Sequence, residues 1–310
     1  MIVVSGESLL DVFAGAESGN GMALDAVVGG SPLNVAMGLA RLGRPVMFFG
    51  AVSRDFLGER IERLVRAEGI AAQALVRTDA PTTLSVVGVA ADGAPSYRFY
   101  GTGGAERQLQ ARDMALLPAE VEAVHVGSYA CVVEPIAATM RALIEARRHQ
   151  GVISYDPNVR LGVEPNPQRW RDVLAWMVSR THVLKLSDED FERLYPGADM
   201  HAKAAQWLHA GVRVVAITRG GAGASLWTRE GRADVAAPAV TVVDTVGAGD
   251  TFQAGLLAGL AERGLLSLPG LEGLTLAQGR AVAEFAVQAA AITCTRRGPD
   301  LPRRGELPGV

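Results

Sequence analysis

The sequence DTVGAGDTF, at residues 244–252, is the stretch that decides the fold of this chain. Residues 240–243 are β-branched and predict a strand or strand end, whereas residues 251–260 have helical spacing. Two glycines separated by an alanine let the backbone turn sharply, so that successive N–H groups point outward at the positive end of a helix dipole. Such a turn suits an anion such as phosphate. An ordinary helix cap at Asp250 or Thr251 is the alternative, and this stretch by itself leaves both open.

Asp250 is the unusual residue of this stretch, because it places a carboxylate inside a pocket suited to anions. A carboxylate there can accept a proton from a hydroxyl group while that hydroxyl attacks a phosphoryl group. The sequence therefore suggests phosphoryl transfer.

The composition is that of a chain with a large core. Of its 310 residues, 49% are hydrophobic and 20% are charged, enough for one large α/β domain or for a large domain with a smaller attachment. A net charge of −3 gives no electrostatic case for a nucleic-acid or membrane partner. The two cysteines and five histidines have neither disulfide-framework nor metal-ligand spacing. Without a signal sequence or a long apolar run, we expect a soluble cytoplasmic protein.

A second glycine-rich stretch, GGSPLNVAMGLARLG, lies at residues 29–43. Ser31 suits the N-cap of a helix, Pro32 its first turn and Gly43 its end. The helix is apolar nearly all round and should be buried, so the Asn34 side chain must find partners there. A local capping bond or a polar ligand above the glycine turn would satisfy it, and we favour the ligand.

Two further segments predict a small separate sheet. Residues 9–13 form a short strand that carries Asp11, and a Gly/Ala-rich stretch follows up to Gly30. Residues 83–90 and 96–100, joined by Asp92 and Gly93, have the pattern of a hairpin. Arg98 on that hairpin is either a solvated side chain or one that reaches into a site beneath the sheet.

From residue 121 onward, short apolar strands alternate with helices, which predicts a doubly wound, mainly parallel sheet. Polar residues follow three of these strands in succession. Because the carboxyl ends of parallel strands lie at one edge of the sheet, we expect a shared cleft there. The residues are Asp156, Asn158 and Arg160 after the first strand, Lys185, Ser187 and Asp190 at the second, and Thr218, Arg219, Gly220 and Gly221 after the third.

The usual nucleotide fingerprints are absent, since the chain has neither a Walker motif nor a dinucleotide-binding glycine loop. Instead, residues 29–43 and 244–257 together resemble the two signatures of the ribokinase-like (PfkB) sugar kinase family. The resemblance covers nearly the whole chain. The fructokinase branch is suggested by four further runs: Gly6-Glu7 followed by Asp11, DPNVR at residues 156–160, KLSDED at residues 185–190, and CTRRG at residues 294–298.

This resemblance implies the roles of the site residues. Asp250 would be the general base, and the backbone of Gly247, Ala248 and Gly249 would form the anion hole for the γ-phosphoryl group. Sugar hydroxyls would be held by Asp11, Gly30 and Asn34, with Arg98, Asn158 and Arg160 as further contacts on the sugar or phosphate side. ATP would bind at Lys185, Thr218, Gly220, Gly223 and Gly249, with its adenine near the final helix.

The resemblance also implies the cofactors and the lid. Magnesium would be held largely by phosphates and water, with Asp190 acting through a water molecule or Glu189 taking part in its place. Potassium is a further possibility at Asp244 and Val246. The whole chain, residues 1–310, would form one kinase domain, with residues 9–30 and 83–104 as a lid that excludes water.

Three functions follow in order of preference. The first is an ATP-dependent fructokinase. The second is a kinase of the same family for a sugar acid such as 2-keto-3-deoxygluconate, whose carboxylate could be bound by Arg98, Arg107 or Arg160. The third is a sugar or nucleotide sensor without turnover, which would not need Asp250. A homodimer that pairs through an apolar lid edge at Val86, Val87 and Val89 is also expected.

Overall fold

A computed structural model describes residues 1–89 and 95–308 of the chain. Its main element is a nine-stranded sheet that is parallel apart from two strands at one edge. In chain order its strands are β1 (Ile2–Ser5), β4 (Val46–Ser53), β5 (Leu75–Thr78), β8 (Ala123–Gly127), β9 (Val152–Asp156), β10 (Val183–Ser187), β11 (Val214–Thr218), β12 (Ala224–Thr228) and β13 (Gly231–Val235). The spatial order is β13-β12-β11-β10-β9-β8-β1-β4-β5.

Helices cover both faces of this sheet, each through its own apolar layer. One layer contains α1 (Ser31–Arg41), α2 (Phe56–Ala67), α7 (Ala248–Glu262), α8 (Leu268–Glu272) and α9 (Leu276–Cys294). The other contains α3 (Ile136–Arg147), α4 (Pro167–Val178), α5 (Asp188–Leu194) and α6 (Met200–Ala210). The predicted doubly wound fold is thus confirmed. None of the described helices is long and apolar enough to cross a membrane.

A second sheet of four strands forms the predicted small sheet. Its strands are β2 (Leu9–Ser18), β3 (Gly21–Gly29), β6 (Leu84–Val89) and β7 (Pro95–Tyr100), in the order β3-β2-β6-β7. The strand pair β6 and β7 is antiparallel, as expected of a hairpin, and the predicted turn at Asp92 and Gly93 lies outside the described residues. We call this sheet the lid; its separate identity and its function stay predictions.

The stretch up to Gly30 supplies β3 of this sheet, because Gly19 lets the chain reverse and pair with β2. The structure corrects one expectation about the lid. Val86, Val87 and Val89 do not lie on an edge, because β6 lies between β2 and β7. A dimer that pairs through the lid stays a prediction, and it would have to use β3 or β7.

The expected strand at residues 240–243 is wrong. This segment is irregular, and Val242 and Val243 are exposed. It leads from β13 at the sheet edge to the start of α7, and none of the described strands pairs with it. The last strands before this segment are β12 and β13, an antiparallel pair that was not predicted.

Close helix packing fixes where α7 begins. A methyl group at Gly38 of α1 would lie 2.6 Å from the Ala254 Cβ, and one at Gly255 would lie 2.9 Å from the Ala286 Cα. Glycine thus lets α7 approach both α1 and α9. Because α1 and α7 pack against each other, their first turns meet at the carboxyl edge of the sheet.

Candidate active site

The first turn of α7 supplies unpaired backbone donors. Gly247 caps the helix with φ 78°, and a methyl group there would lie 2.8 Å from the Pro299 Cβ, so the turn requires glycine. The first regular helical bond runs from the Thr251 N–H to the Gly247 carbonyl at 2.8 Å. Among the described residues, the N–H groups of Gly249 and Asp250 have no backbone acceptor. These groups therefore form an N-terminal site for an anion.

Asp250 lies in that turn and is only 6% exposed. Its Oδ1 accepts a hydrogen bond from the Ser31 hydroxyl at 2.6 Å, and its Oδ2 accepts one from Asn34 Nδ2 at 2.8 Å. Asn158 Nδ2 lies 3.3 Å from the same Oδ1. The structure thus brings together Asp250, Asn34 and Asn158 from the predicted set, and adds Ser31.

Ser31 has a different position from the one that the sequence predicted. It is the first residue of α1, not the N-cap, and its side chain makes no capping bond. Gly30 is the cap instead, with φ 106°, and a methyl group there would lie 2.7 Å from the Glu7 carbonyl oxygen. Only glycine fits this close approach, and the turn leaves the Ser31 hydroxyl free to bind Asp250.

A buried ion pair lies beneath the start of α7. Lys185 on β10 donates to Asp156 Oδ2 on β9 at 2.7 Å, and both side chains are buried. Burial raises the pKa of Asp156 to about 6, against the lowering effect of Lys185, while Asp190 and Asp250 raise it further. A methyl group at Gly249 would lie 3.1 Å from Lys185 Nζ. The ammonium group therefore adds positive charge directly below the free N–H groups.

Asn158 follows β9 in a left-handed conformation with φ 40°. Its N–H donates to Asp156 Oδ1 at 3.1 Å, which stabilises this unusual turn. The next N–H, that of Val159, donates to Asp190 Oδ2 at 3.3 Å. Asp156 and Asp190 thus shape the loop that carries the Asn158 side chain to Asp250.

Asp190 and Glu189 have different environments. Asp190 is buried and binds Arg193 at 3.1 Å, whereas Glu189 is exposed and lies 3.3 Å from the same arginine. Among the described residues there is no group of three or more histidine, cysteine or acidic side chains arranged for a metal ion. A metal ion here would depend on phosphate oxygens and water for most of its ligands.

The lid brings Asp11 to the same cleft. Burial raises the pKa of Asp11, an effect that its cross-strand neighbour Ser85 and Arg160 oppose and Asp250 reinforces. A methyl group at Gly29 would collide with the Asp11 carboxylate, so glycine is needed beside it. The Arg160 side chain is exposed above the end of β9.

Arg98 is not brought to this group. Residues paired across strands point to the same face of a sheet, and Asp11, Ser85 and Phe99 are successive partners across β2, β6 and β7. Arg98 follows the opposite face, and its side chain is exposed. The physical reason is that neighbouring side chains along a strand point to opposite faces, and Phe99, the neighbour of Arg98, is the residue on the Asp11 face.

The remaining predicted residues lie around this centre. Thr218 ends β11, next to Ser187 of β10, and Gly220 and Gly223 follow with φ 49° and 87°. Asp244 does not face α7 with a free carboxylate, because its two oxygens accept hydrogen bonds from the N–H groups of Val246 at 3.0 Å and Gly298 at 2.8 Å. Asp244 therefore ties the anion-binding turn to the C-terminal loop.

Two buried acids beside the lid were not assigned a role by the sequence. Glu7 follows β1, and burial raises its pKa from 4.5 to about 8. Glu106 is also fully buried and accepts a hydrogen bond from Thr83 at 2.7 Å; burial raises its pKa as well. Glu106 lies 3.5 Å from the Arg107 Nε and so partly neutralises that arginine. For Glu7 the sequence offered only the Gly6-Glu7 run, which supported the resemblance without giving this residue a role.

His125 on β8 is a buried core residue. Its Nδ1 lies 3.1 Å from the Ser154 hydroxyl, and burial lowers its pKa to about 3, so the ring is neutral. Gln253, one turn after Asp250, donates to the same hydroxyl at 2.8 Å. These contacts anchor α7 to the sheet beneath it.

A buried carboxylate beside free helix N–H groups and an ammonium is the arrangement that a phosphoryl-transfer enzyme needs. Residues 1–304 match the family described as pfkB family carbohydrate kinase. A fructokinase from Rhizobium leguminosarum bv. trifolii is 34% identical over 304 residues, which cover 98% of this chain and 88% of that protein. The chain therefore belongs to the pfkB family of carbohydrate kinases, which confirms the resemblance.

Solved structures agree with this assignment. A fructokinase from Xylella fastidiosa with bound ATP has a TM-score of 0.86 at 25% identity, over 98% of this chain and 96% of that chain. A fructokinase double mutant from Vibrio cholerae O395 in a fructose-, ADP- and potassium-bound form has a TM-score of 0.82 at 26% identity, over 96% of this chain and 93% of that chain. Both similarities extend over nearly the whole fold.

Glu7→Gln should remove a pH dependence of stability. Between about pH 4.5 and 8 the folded chain holds a proton on Glu7 that the unfolded chain has lost, so stability falls as the pH rises, by up to ~1.4 kcal/mol per unit. The variant cannot lose that proton. In urea unfolding at pH 5 and pH 8, the free energy of unfolding of the variant relative to the wild type should be higher at pH 8 than at pH 5.

The matched control is Glu59→Gln on α2, an exposed position. Its difference in stability from the wild type should stay nearly constant between the two pH values. A Glu7→Gln variant that also keeps a constant difference would contradict the raised pKa of Glu7.

Proposed function

We propose that this chain is an ATP-dependent fructokinase that transfers the γ-phosphoryl group to a primary hydroxyl of fructose. The observation that supports it most is the Asp250 carboxylate, which lies in the first turn of α7 and is held by side chains from α1 and from the loop after β9. The relatives named fructokinase, and the related structures with ATP or with fructose and ADP, support the same acceptor and donor.

The proposed step needs one base and one anion site. Asp250 takes the proton from the sugar hydroxyl, and the oxygen forms a bond to the γ-phosphorus. The bond from that phosphorus to the β–γ bridging oxygen breaks, and ADP leaves. Of the anion hole predicted at Gly247, Ala248 and Gly249, the Ala248 N–H is not free, because it donates to the Thr245 carbonyl at 3.2 Å. We propose that the free N–H groups of this turn, that of Gly249 above all, stabilise the charge on the transferred group together with Lys185 below them.

The sugar would lie between Asp250 and the lid. We propose that Asp11 and Asn34 bind its hydroxyl groups above Gly30, because Asp11 shares the cleft with Arg160 and interacts electrostatically with Asp250. Arg160 is suited to an anionic group of the bound substrates, since its side chain is exposed at the cleft. Closing the lid over the sugar would exclude water from the transfer.

Charge favours a neutral ketose over a sugar acid. Arg107 lies beside the buried Glu106, and Arg98 follows the other face of the lid sheet. Asp11 and Asp250 would repel a carboxylate, and of the three arginines considered for it Arg160 is the one whose charge acts on Asp11. Two observations disfavour a sensor without turnover. The chain belongs to a kinase family, and it has Asp250 as a base, which binding alone would not need.

ATP would extend from the anion site along the carboxyl edge of the sheet, past Thr218, Gly220 and Gly223, toward α9. Magnesium would be held mainly by phosphate oxygens and water, with Asp190 acting through water, because Asp190 is buried beside the site while Glu189 is exposed. Potassium is the monovalent ion that we propose near Asp244, whose carboxylate organises the loop rather than presenting two free oxygens.

Asp250→Asn should lower kcat at least ~100-fold, because an amide cannot take the hydroxyl proton. ATP affinity, measured by calorimetry, should stay within about threefold, since the N–H groups and Lys185 remain. Asp172→Asn, at an exposed position on α4, is the control and should behave as the wild type. Turnover near the wild-type level in Asp250→Asn would eliminate Asp250 as the base.

A panel of acceptors assayed with Mg-ATP should rank fructose first. We expect its kcat/KM to exceed that of 2-keto-3-deoxygluconate at least ~10-fold, because the acid must bring a carboxylate beside Asp11 and Asp250. The rate of ADP formation measures the ranking. A sugar acid that outranks fructose would reject the proposed acceptor and leave the kinase class intact.

Chelation of divalent ions should abolish turnover, and added Mg²⁺ should restore it, because the ion must neutralise the ATP phosphates. Replacing K⁺ by tetramethylammonium at constant ionic strength should lower kcat several-fold in the wild type and much less in Asp244→Asn, where the loop is already loosened. Equal rates in both salts would reject a potassium site at this loop.

A further inference from the structure

We propose that Ser31 is a positioning residue for the general base: with Asn158 it occupies Oδ1 of Asp250, so that Oδ2 is the oxygen that receives the acceptor's proton. This inference rests on the proposed phosphoryl transfer. It adds Ser31, which lies outside the signature around Asp250, and it assigns Oδ2 as the oxygen that takes the proton.

The direction of the Ser31 hydrogen bonds is fixed by their partners. Asn158 Nδ2 lies 2.7 Å from Ser31 Oγ, and an amide NH₂ group can only donate. The hydroxyl therefore accepts from Asn158 and sends its own proton to Asp250 Oδ1, 2.6 Å away. Rotating the Asn158 amide by 180° would turn its carbonyl toward the carboxylate, 3.3 Å from Oδ1, which is repulsive.

The two oxygens of Asp250 are unequally occupied. A carboxylate oxygen accepts about two hydrogen bonds. Oδ1 has the Ser31 hydroxyl at 2.6 Å and Asn158 Nδ2 at 3.3 Å, whereas Oδ2 has Asn34 Nδ2 at 2.8 Å. Among the described residues no second donor contacts Oδ2. This oxygen keeps one acceptor position, which is what an incoming hydroxyl requires.

The local backbone explains why the serine is available for this contact. A serine at the start of a helix commonly caps it, but here the cap is Gly30 and the Ser31 side chain makes no capping bond. Ser31 is buried, so its hydroxyl needs a partner inside the protein, and Asp250 on another helix provides it. The Ser31–Asp250 bond also joins the first turns of α1 and α7.

A purely structural tie between α1 and α7 would predict a loss of stability and little else. A positioning role predicts more, because the Ser31 hydroxyl fixes the rotation of the Asp250 carboxylate and so directs Oδ2 at the acceptor. Without that hydroxyl the carboxylate should turn more freely. This change acts on the transfer step and not on ATP affinity.

The same bonds form and break in the transfer as in the proposed function. The acceptor O–H proton moves to Oδ2, the acceptor oxygen bonds to the γ-phosphorus, and the bond to the bridging oxygen breaks with ADP as leaving group. The Ser31 proton stays on Oγ throughout, directed at Oδ1. ATP and the acceptor are the substrates of the proposed function.

The test compares Ser31→Ala with Ser31→Thr, which keeps the hydroxyl, and with Ser267→Ala, which removes the serine that caps α8 far from the site. We expect Ser31→Ala to lower kcat about 10- to 100-fold and to leave the KM for ATP within about twofold. Ser31→Thr should recover most of the lost kcat. Ser267→Ala should keep the wild-type kcat.

An unchanged kcat in folded Ser31→Ala would overturn the proposal, as would Ser31→Thr behaving like Ser31→Ala. If Ser31→Ala does not fold, Ser31→Cys, which is similar in size and a weaker donor, is judged by the same comparison of kcat with the KM for ATP. Wild-type turnover of fructose tests the proposed function separately. If another sugar is the acceptor, the same variants are compared on that sugar; if none is, they are compared on ATP hydrolysis.

Discussion

The structure depends on one constraint: a carboxylate is buried at the positive end of a helix and must keep hydrogen-bond donors around it. Asp250 obtains these donors from α1 and from the loop after β9, which are distant in sequence. Each of those segments reaches it through an unusual backbone, at Gly30 with φ 106° and at Asn158 with φ 40°. The strained turns and the glycines are thus consequences of satisfying one buried charge.

The same constraint explains the charges around Asp250. Lys185 lies under the first turn of α7 but is paired with Asp156, so the unliganded site does not carry an uncompensated ammonium group. A phosphate group at the helix end would share this ammonium with Asp156. The site can therefore stay folded without its substrates and still present positive charge to them.

Much of this arrangement was predictable from the sequence, because it depends on local backbone chemistry. Short motifs predicted the glycine turn at residues 247–249 and the helix after Gly30. The alternation of strands and helices predicted that the polar residues after β9 and β10 would lie at the same edge of the sheet. The structure confirmed the fold, and it brought Asp11, Asn34, Asn158, Lys185 and Asp250 to one cleft. The roles of these residues stay predictions.

What could not be predicted depends on long-range geometry. Residues 240–243 have a strand composition, but strand formation requires a neighbour, and the chain here leads away from the sheet edge. Ser31 has the sequence of a helix cap, yet its hydroxyl binds a residue 219 positions away, because α1 and α7 approach through Gly38. A local rule assigns a polar side chain its nearest partner, whereas a buried charge elsewhere in the fold competes for the same hydroxyl and offers a stronger bond. A residue that breaks a local rule beside a buried charge, as Ser31 does, is therefore a good candidate for a residue that acts through the catalytic group.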